Sequence, residues 1–311
     1  MLNNTTMNTT DMRIASNRVR DIEHYCHQEL DGMYGHNEVR MFVRMLFERF
    51  LGWDHATLLS RREETINQSD LLKFHWAVED LRQWRPIQYI VGWTDFCGCQ
   101  IAVDERVLIP RPETEEIVLR TIELWESVHG GGGAISVLDL CTGSGCIAIA
   151  MAKHWPGAQV TGVDISAEAL AVAQKNAETN GVDVLFELAD ILEPDYGMHG
   201  TEDYGIIVSN PPYVRESERG AMQANVTEHE PEGALYVADS DPLVFYKAIA
   251  RIAQRKLAHD GMAVTEINEA LGKETLAIFD EAGFQGHVEQ DFRGKQRTLV
   301  LHRKNGTSEA C

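Results

Sequence analysis

The sequence predicts an α/β protein: a doubly wound, mostly parallel seven-stranded sheet whose last strand is antiparallel, preceded by a small helical bundle. Three observations carry the prediction. Residues 11–84 place apolar side chains at helical spacing, and residues 135–302 alternate short β-rich runs with helical ones. The last two runs are separated by little more than Arg293-Gly294-Lys295, too short for a parallel crossover. At 311 residues there is room for one large domain and a small one. The expected divisions are a helical domain at 1–85, a β-hairpin connector at 86–110, the sheet domain at 111–304 and a tail at 305–311.

In the first part, Val39, Phe42, Val43, Leu46, Phe47, Phe50 and Leu51 form one apolar stripe, and Leu71, Phe74, Val78 and Leu81 form a second. Asp31-Gly32 and Met33-Tyr34-Gly35 should separate the first two helices. Ser69 or Asp70 should cap the later one. Arg85-Pro86 should end the bundle. Tyr89-Ile90-Val91, residues 99–103 and Val107-Leu108-Ile109 read as extended runs, broken by Gly92, Gly98 and Asp104-Glu105. Arg111-Pro112-Glu113-Thr114-Glu115 then opens a helix with acidic residues in its first turn, as the helix dipole favours. Beyond the glycine run 130–133, strands are expected at 135–140, 159–164, 184–188, 205–210, 262–267, 287–291 and 298–302. Helices are expected at 145–153, 167–179, 242–257 and 270–282.

Composition is ordinary for a globular chain, at 44% hydrophobic and 24% charged. The net charge of −20 argues against direct nucleic-acid binding, which needs Lys and Arg to displace phosphate counterions. The acidity is uneven: residues 1–90 carry −2 and the remainder −18. Six cysteines form no zinc-type pair of C-x-x-C units and read as reduced thiols. His24 and His27, one helical turn apart, read as surface histidines, so no metal is expected. The polar start, Met1 to Thr10, lacks the apolar core of a signal peptide, and no run of about 18 apolar residues occurs. A cytoplasmic protein away from membranes is the expectation.

Residues 137–148 read as strand, Gly-rich turn and helix start. Gly143 and Gly145 let a ligand approach the backbone, and the helix start offers free N–H groups. Asp164 ends the next strand, 19 residues beyond Gly145, the spacing of an acidic residue that bonds a ribose diol. The loop alone is compatible with NAD and with S-adenosylmethionine. Asp139 leans the choice toward the methyl donor, because a carboxylate there could help bind an ammonium group, directly or through water, but would repel a pyrophosphate. Asp190-Ile191 ends the third strand and could border an adenine; for Asp190 a capping role competes.

Asn210-Pro211-Pro212-Tyr213 follows the apolar run Ile206-Ile207-Val208. Two successive prolines end the strand, and the first pushes Asn210 into an extended conformation. The result is a stiff corner at a strand's carboxyl end, where open α/β sheets place ligands. Its side-chain amide, backbone carbonyls and aromatic face suit a planar –NH2 group.

Together these features resemble the class I S-adenosylmethionine-dependent methyltransferases, and more narrowly the protein-(glutamine-N5) methyltransferases of peptide chain release factors. The resemblance spans roughly residues 15–303. Its distinctive segments are residues 85–92 (RPIQYIVG), residues 107–115 (VLIPRPETE), Asn210-Pro211-Pro212-Tyr213, and Glu230-Pro231 followed by Ala234-Leu235. It implies a Rossmann-like methyltransferase sheet and S-adenosylmethionine as methyl donor, leaving S-adenosylhomocysteine. It further implies that Cys141, Thr142, Gly143, Ser144, Gly145, Asp164, Asp190, Ile191 and Asn210 surround the cofactor. Asn210, Pro211, Pro212 and Tyr213 would hold the acceptor glutamine, and the helical bundle would dock the release factor. The chain departs from the family at Cys141, where many members carry glycine and a cysteine is small enough to be tolerated if its φ is negative, and at Ile191, where some carry an aromatic. An adenine-N6 methyltransferase on DNA or RNA would share the Asn-Pro-Pro-Tyr corner, but the charge and the lack of a basic stripe oppose it. A non-catalytic cofactor-binding scaffold is opposed by the intact corner.

Overall fold

The computed structural model of the protein describes residues 14–130, 135–197 and 203–304. Expectations for the Asn/Thr-rich start, residues 131–133 of the glycine run, Cys311 and the 305–311 tail fall outside them. The chain divides into two compact units, Met1–Val91 with Ala224–His229, and Gly92–Gln223 with Glu230–Cys311.

The first unit holds α1 (Val19–Tyr34), α2 (His36–Leu51), α3 (His55–Ser60), α4 (Gln68–Arg82) and α5 (Ile87–Val91). Its core is the apolar stripes meeting: Ile22 and Leu30 of α1, Leu46 and Phe47 of α2, and Phe74 and Leu81 of α4 are fully buried. The Phe47 and Phe74 ring centroids lie 4.5 Å apart, a spacing at which aromatic pairs add about 0.5–1.5 kcal/mol to area burial.

Three local expectations change here. Helix α1 runs through Asp31-Gly32 and stops only at Gly35, whose φ of +84° leaves the helical region at no steric cost. Helix α4 is capped by Asn67, whose side chain accepts from the Asp70 amide at 2.8 Å, rather than by Ser69 or Asp70. Tyr89-Ile90-Val91 is helical, not extended. The fixed φ of Pro86 suits a helix start, and its carbonyl accepts from the Tyr89 amide at 3.1 Å. Five residues with alternate positions buried read as a strand because they are too few to show a helical period.

The second unit begins with the hairpin β1 (Trp93–Phe96) and β2 (Cys99–Ala102), turned at Cys97-Gly98, both at positive φ. Val107-Leu108-Ile109 pairs with no strand; its Ile109 amide donates to Glu230 Oε2 at 3.0 Å. There follow α6 (Pro112–His129), β3 (Ser136–Leu140), α7 (Cys146–His154), β4 (Gln159–Asp164), α8 (Ala167–Asn180), β5 (Leu185–Leu188) and β6 (Tyr204–Ser209). The stretch from 214 to 237 carries short pieces: β7 (Val214–Arg215), 3-10 turns at Glu216–Ala221 and Glu232–Ala234, and β8 (Tyr236–Val237), with α9 (Ala224–Thr227) counted in the first unit. The chain closes with α10 (Val244–Lys256), β9 (Leu257–Glu266), α11 (Gly272–Glu281), β10 (Phe284–Gln290) and β11 (Gln296–Arg303).

The seven strands lie in the order β10-β11-β9-β6-β3-β4-β5. β11 is antiparallel to both neighbours, and the other inner pairs are parallel. The last strand slots between β9 and β10 because a short turn can only fold it back beside its predecessor. Strands buried on both faces explain the continuous apolar runs Val137-Leu138, Ile206-Ile207-Val208 and Met262-Ala263-Val264. Register then sets the site. Leu140 pairs with Val163 on one side and Ser209 on the other, and Ser209 pairs with Thr265. Cys141, Asp164, Asn210 and Glu266 therefore sit at the carboxyl ends of four adjacent parallel strands.

Candidate active site

The turn between β3 and α7 is held from below. The Thr142 amide donates to the Val163 carbonyl at 2.9 Å, and the Gly145 amide donates to the Thr142 carbonyl at 2.8 Å. Gly145 has φ +79°, and a Cβ there would lie 3.0 Å from the Ala173 Cβ and 3.1 Å from Ile149 Cδ1. Helix α8 packs too closely for any other residue. Gly143, at φ +55°, has no heavy atom within 4 Å of where its Cβ would be, so its open side can take a ligand. Asn176, fully buried on α8, donates to the Ser144 carbonyl at 2.9 Å and also bonds both backbone groups of Ala102, tying the turn to the hairpin.

Cys141 does not have the negative φ at which a cysteine would be tolerated without strain. Its φ is +61°, in the left-handed region that favours glycine, and it persists because β3 and the turn determine the backbone on either side. Cys141→Gly is accordingly expected to leave stability within about 1 kcal/mol, strain relief offsetting lost packing and chain entropy. Cys141→Val, β-branched at positive φ, should cost roughly 2–3 kcal/mol. Urea unfolding of both variants checks this, and equal losses would remove the strain account.

Asp164 accepts from the Gly143 amide at 2.8 Å and the Ser166 amide at 2.9 Å. Burial pushes its carboxyl up, and the Ser166, Gly143 and Ile165 amides pull it back. Asp139 is fully buried beneath the turn, so it is not directly exposed to a ligand. Its Oδ2 accepts from Thr142 Oγ1 at 2.6 Å and the Ala148 amide at 3.2 Å, while its Oδ1 has no partner among the described residues. Desolvation raises its pKa to about 7. Between the ordinary carboxylate value near 4 and that folded value, the unfolded chain releases this proton first, so stability falls as pH rises from about 4 to about 7 and levels off above. Asp139→Asn has no proton to lose and should flatten that slope in urea midpoints taken across the interval. Parallel slopes in the two proteins would contradict the assignment.

Asp190 and Ile191 follow β5. The Asp190 carboxylate accepts from the Leu192 amide at 2.8 Å, closing a turn, and the Ile191 side chain is buried in the sheet's core beside Leu140 and Val163. Of the residues expected around the cofactor, Thr142, Gly143, Ser144, Gly145 and Asp164 are joined by direct bonds or shared backbone. Asp190 and Ile191 reach them through their neighbour in the chain, the Ala189 amide donating to the Asp164 carbonyl at 3.0 Å.

At the end of β6, Pro211 and Pro212 are buried, while Asn210 and Tyr213 are half-buried. Asn210 Nδ2 donates to Thr114 Oγ1 at 3.1 Å, and Thr114 Oγ1 donates to Glu266 Oε2 at 2.8 Å. Tyr213 donates to Glu266 Oε1 at 2.7 Å and receives Arg297 Nη1 at 3.4 Å. Glu266 is buried. Desolvation pushes its carboxyl up, opposed by the two hydroxyls and the Arg297 guanidinium. Sequence reasoning missed Glu266 and Thr114 as site residues; the available signal was a carboxylate closing the otherwise apolar run of β9. A second missed link is Glu230, whose buried carboxylate binds the Arg111 guanidinium. It joins two of the distinctive segments, 107–115 and the Glu230-Pro231 pair.

Comparison with known proteins decides the family. A model described as "Methyltransferase small domain" matches residues 128–230, and one described as "PrmC N-terminal domain" matches residues 27–92. A release factor glutamine methyltransferase of Bacteroides thetaiotaomicron is 38% identical over 90% of this chain and 98% of its own. The chain belongs to the release factor glutamine methyltransferase family. Relatives of that name from Flavobacterium psychrophilum and Bacillus subtilis are each 38% identical, over 88% and 81% of this chain and 95% and 88% of theirs. Family membership makes S-adenosylmethionine the methyl donor. The turn is compatible with it: Gly143 presents an open face, the Asp164 carboxylate stands at the turn, and a buried Asp139 oxygen beneath has no partner among the described residues.

Other features lie apart from this site. Among the described residues, His27, Asp31 and His36 are the one group whose ligand atoms lie close enough to hold a metal. His24 lines the same cavity but is not of that group. The Asp31 carboxylate already accepts from the two rings, His27 Nδ1 at 2.7 Å and His36 Nδ1 at 3.0 Å. The described cysteines are all free thiols. No described helix is long and apolar enough to cross a membrane.

Proposed function

We propose that the protein transfers a methyl group from S-adenosylmethionine to the side-chain amide nitrogen of a glutamine in peptide chain release factors, the glutamine of their Gly-Gly-Gln motif, and so modulates translation termination. The observation that carries this reading is the Asn210 corner, its Nδ2 already committed to Thr114 and its Oδ1 left to accept, one strand away from the Cys141–Gly145 turn. When bound, S-adenosylmethionine supplies an already electrophilic methyl group, so the reaction calls for no metal. Cys141 to Gly145, Asp164, Asp190, Ile191 and Asn210 would surround it. The acceptor nitrogen is a weak nucleophile because its lone pair is shared with the carbonyl. Asn210 Oδ1 and the Pro211 carbonyl accept its two N–H groups, fix its plane and favour the positive charge that develops on it. Tyr213 walls the pocket. The amide proton leaves as or after the C–N bond forms, and no strong base is needed because an N-alkylated cationic amide is strongly acidic.

The helical unit docks the release factor, and the protein works in the cytoplasm without contacting nucleic acid directly. The net charge of −20 supports a protein acceptor over a phosphate-rich one. Incubation with labelled S-adenosylmethionine and either release factor or DNA is the test. Label on a release-factor glutamine is expected. Label on adenine would replace this reading with the nucleic-acid one, and cofactor binding without transfer to either would leave only a scaffold.

A further inference from the structure

Asn210 can grip an amide only if its oxygen, not its nitrogen, faces the acceptor, and an asparagine side chain has nearly the same shape both ways round. Something must choose. The groups behind Asn210 form a chain of donors that ends on Glu266. Arg297 can only donate, so Tyr213 receives it and passes its own hydrogen to Glu266 Oε1. Burial pushes the Glu266 carboxyl up, but the two hydroxyls and the Arg297 guanidinium oppose that; while it is ionised it has no hydrogen to return, and Thr114 spends its single hydrogen on Oε2. A Thr hydroxyl that has given its hydrogen has only lone pairs left, and the Asn210 group facing it at 3.1 Å must be the –NH2. The carboxylate is buried, and its two oxygens are each taken by one of these hydroxyls.

We propose that Glu266, acting through Thr114, is a positioning residue that fixes the amide orientation of Asn210 and so turns its oxygen toward the acceptor. This rests on the reading of Asn210 given above. Thr114 lies in the distinctive segment 107–115 and Glu266 at the end of β9, one strand from the motif. The geometry gives the segment a part in the chemistry that its position in sequence does not suggest. An amide at 266 would offer Thr114 a hydrogen, free the hydroxyl to donate toward Asn210, and remove the preference.

The test compares Glu266→Gln, Thr114→Val and Thr114→Ser with the unsubstituted protein. In release-factor methylation, Glu266→Gln and Thr114→Val should lose roughly tenfold or more in kcat, the scale of a misplaced reacting group. KM for S-adenosylmethionine should stay near its original value, and Thr114→Ser, which keeps the hydroxyl, should keep most of kcat. A merely structural role would lower melting temperature and move both constants without rescue by serine. Neutron diffraction supplies a readout independent of turnover: deuterons on Asn210 should face Thr114 in the unsubstituted protein and lose that preference in Glu266→Gln. Unchanged kcat in Thr114→Val, or deuterons facing away from Thr114 in the unsubstituted protein, overturns the inference, including where Glu266→Gln does not fold. Failure of the unsubstituted protein to methylate any glutamine would instead overturn the acceptor assignment, with the neutron result still deciding the orientation.

Discussion

Asn210→Ala is expected to lower glutamine methylation by roughly 10²-fold or more, the scale of losing one oriented hydrogen bond to developing charge in an active site. The side chain sits where β6 is stopped by two prolines, and its Nδ2 is held 3.1 Å from Thr114 Oγ1. Alanine removes the acceptor oxygen without disturbing that corner, because Pro211 and Pro212 remain buried and Ser209 still donates to the Leu140 carbonyl at 2.7 Å. The loss should therefore fall on kcat, with S-adenosylmethionine affinity reduced less. Single-turnover methylation of release factor, with cofactor binding measured by calorimetry, separates the two. Near-normal turnover from a folded variant would sink the gripping model.

Asp164→Ala should weaken S-adenosylmethionine binding by about 10- to 100-fold, the worth of a hydrogen bond to a charged group together with the loosening of its neighbours. In the free protein the carboxylate bonds the Gly143 and Ser166 amides, so it shapes the turn as well as offering the acceptor proposed for the ribose. Asp164→Asn keeps one acceptor oxygen and should fall between the two. Calorimetric titration of S-adenosylmethionine and S-adenosylhomocysteine measures the effect. Affinity within about threefold of the unsubstituted protein, under 1 kcal/mol, would show that the diol is bound elsewhere.

Much of this was readable in the chain. The inner parallel strands and the four helices after them were legible because buried parallel strands are runs of apolar residues, and glycines, prolines and caps punctuate them, whereas the largely exposed edge strands β5 and β10 were read from the alternation of elements. The antiparallel final strand followed from the length of one turn. Where the reading failed, the signal was local and short: five residues after Pro86 are too few to distinguish a helical period from alternation, and the cap of α4 lay two residues before the first candidate considered. At Cys141 the residue type argued for one backbone conformation and its neighbours imposed another, with φ at +61°.

The Asn-Pro-Pro-Tyr corner, the Gly143 and Gly145 turn and Asp164 are determined by the sequence itself, because each depends on residues adjacent in the chain or on a fixed strand-helix-strand spacing. The groups standing behind them are not. Thr114, Glu266 and Arg297 come from three separate elements and meet because β11 lies beside β9 and α6 brings Thr114 within 2.8 Å of Glu266. Glu230 reaches Arg111 across 119 residues, outside any strand pairing. A carboxylate in a sequence shows its charge and not its partners. Only the packed structure, by withdrawing Glu266 from water, makes each hydrogen around it count and so gives direction to the residue at the reacting end.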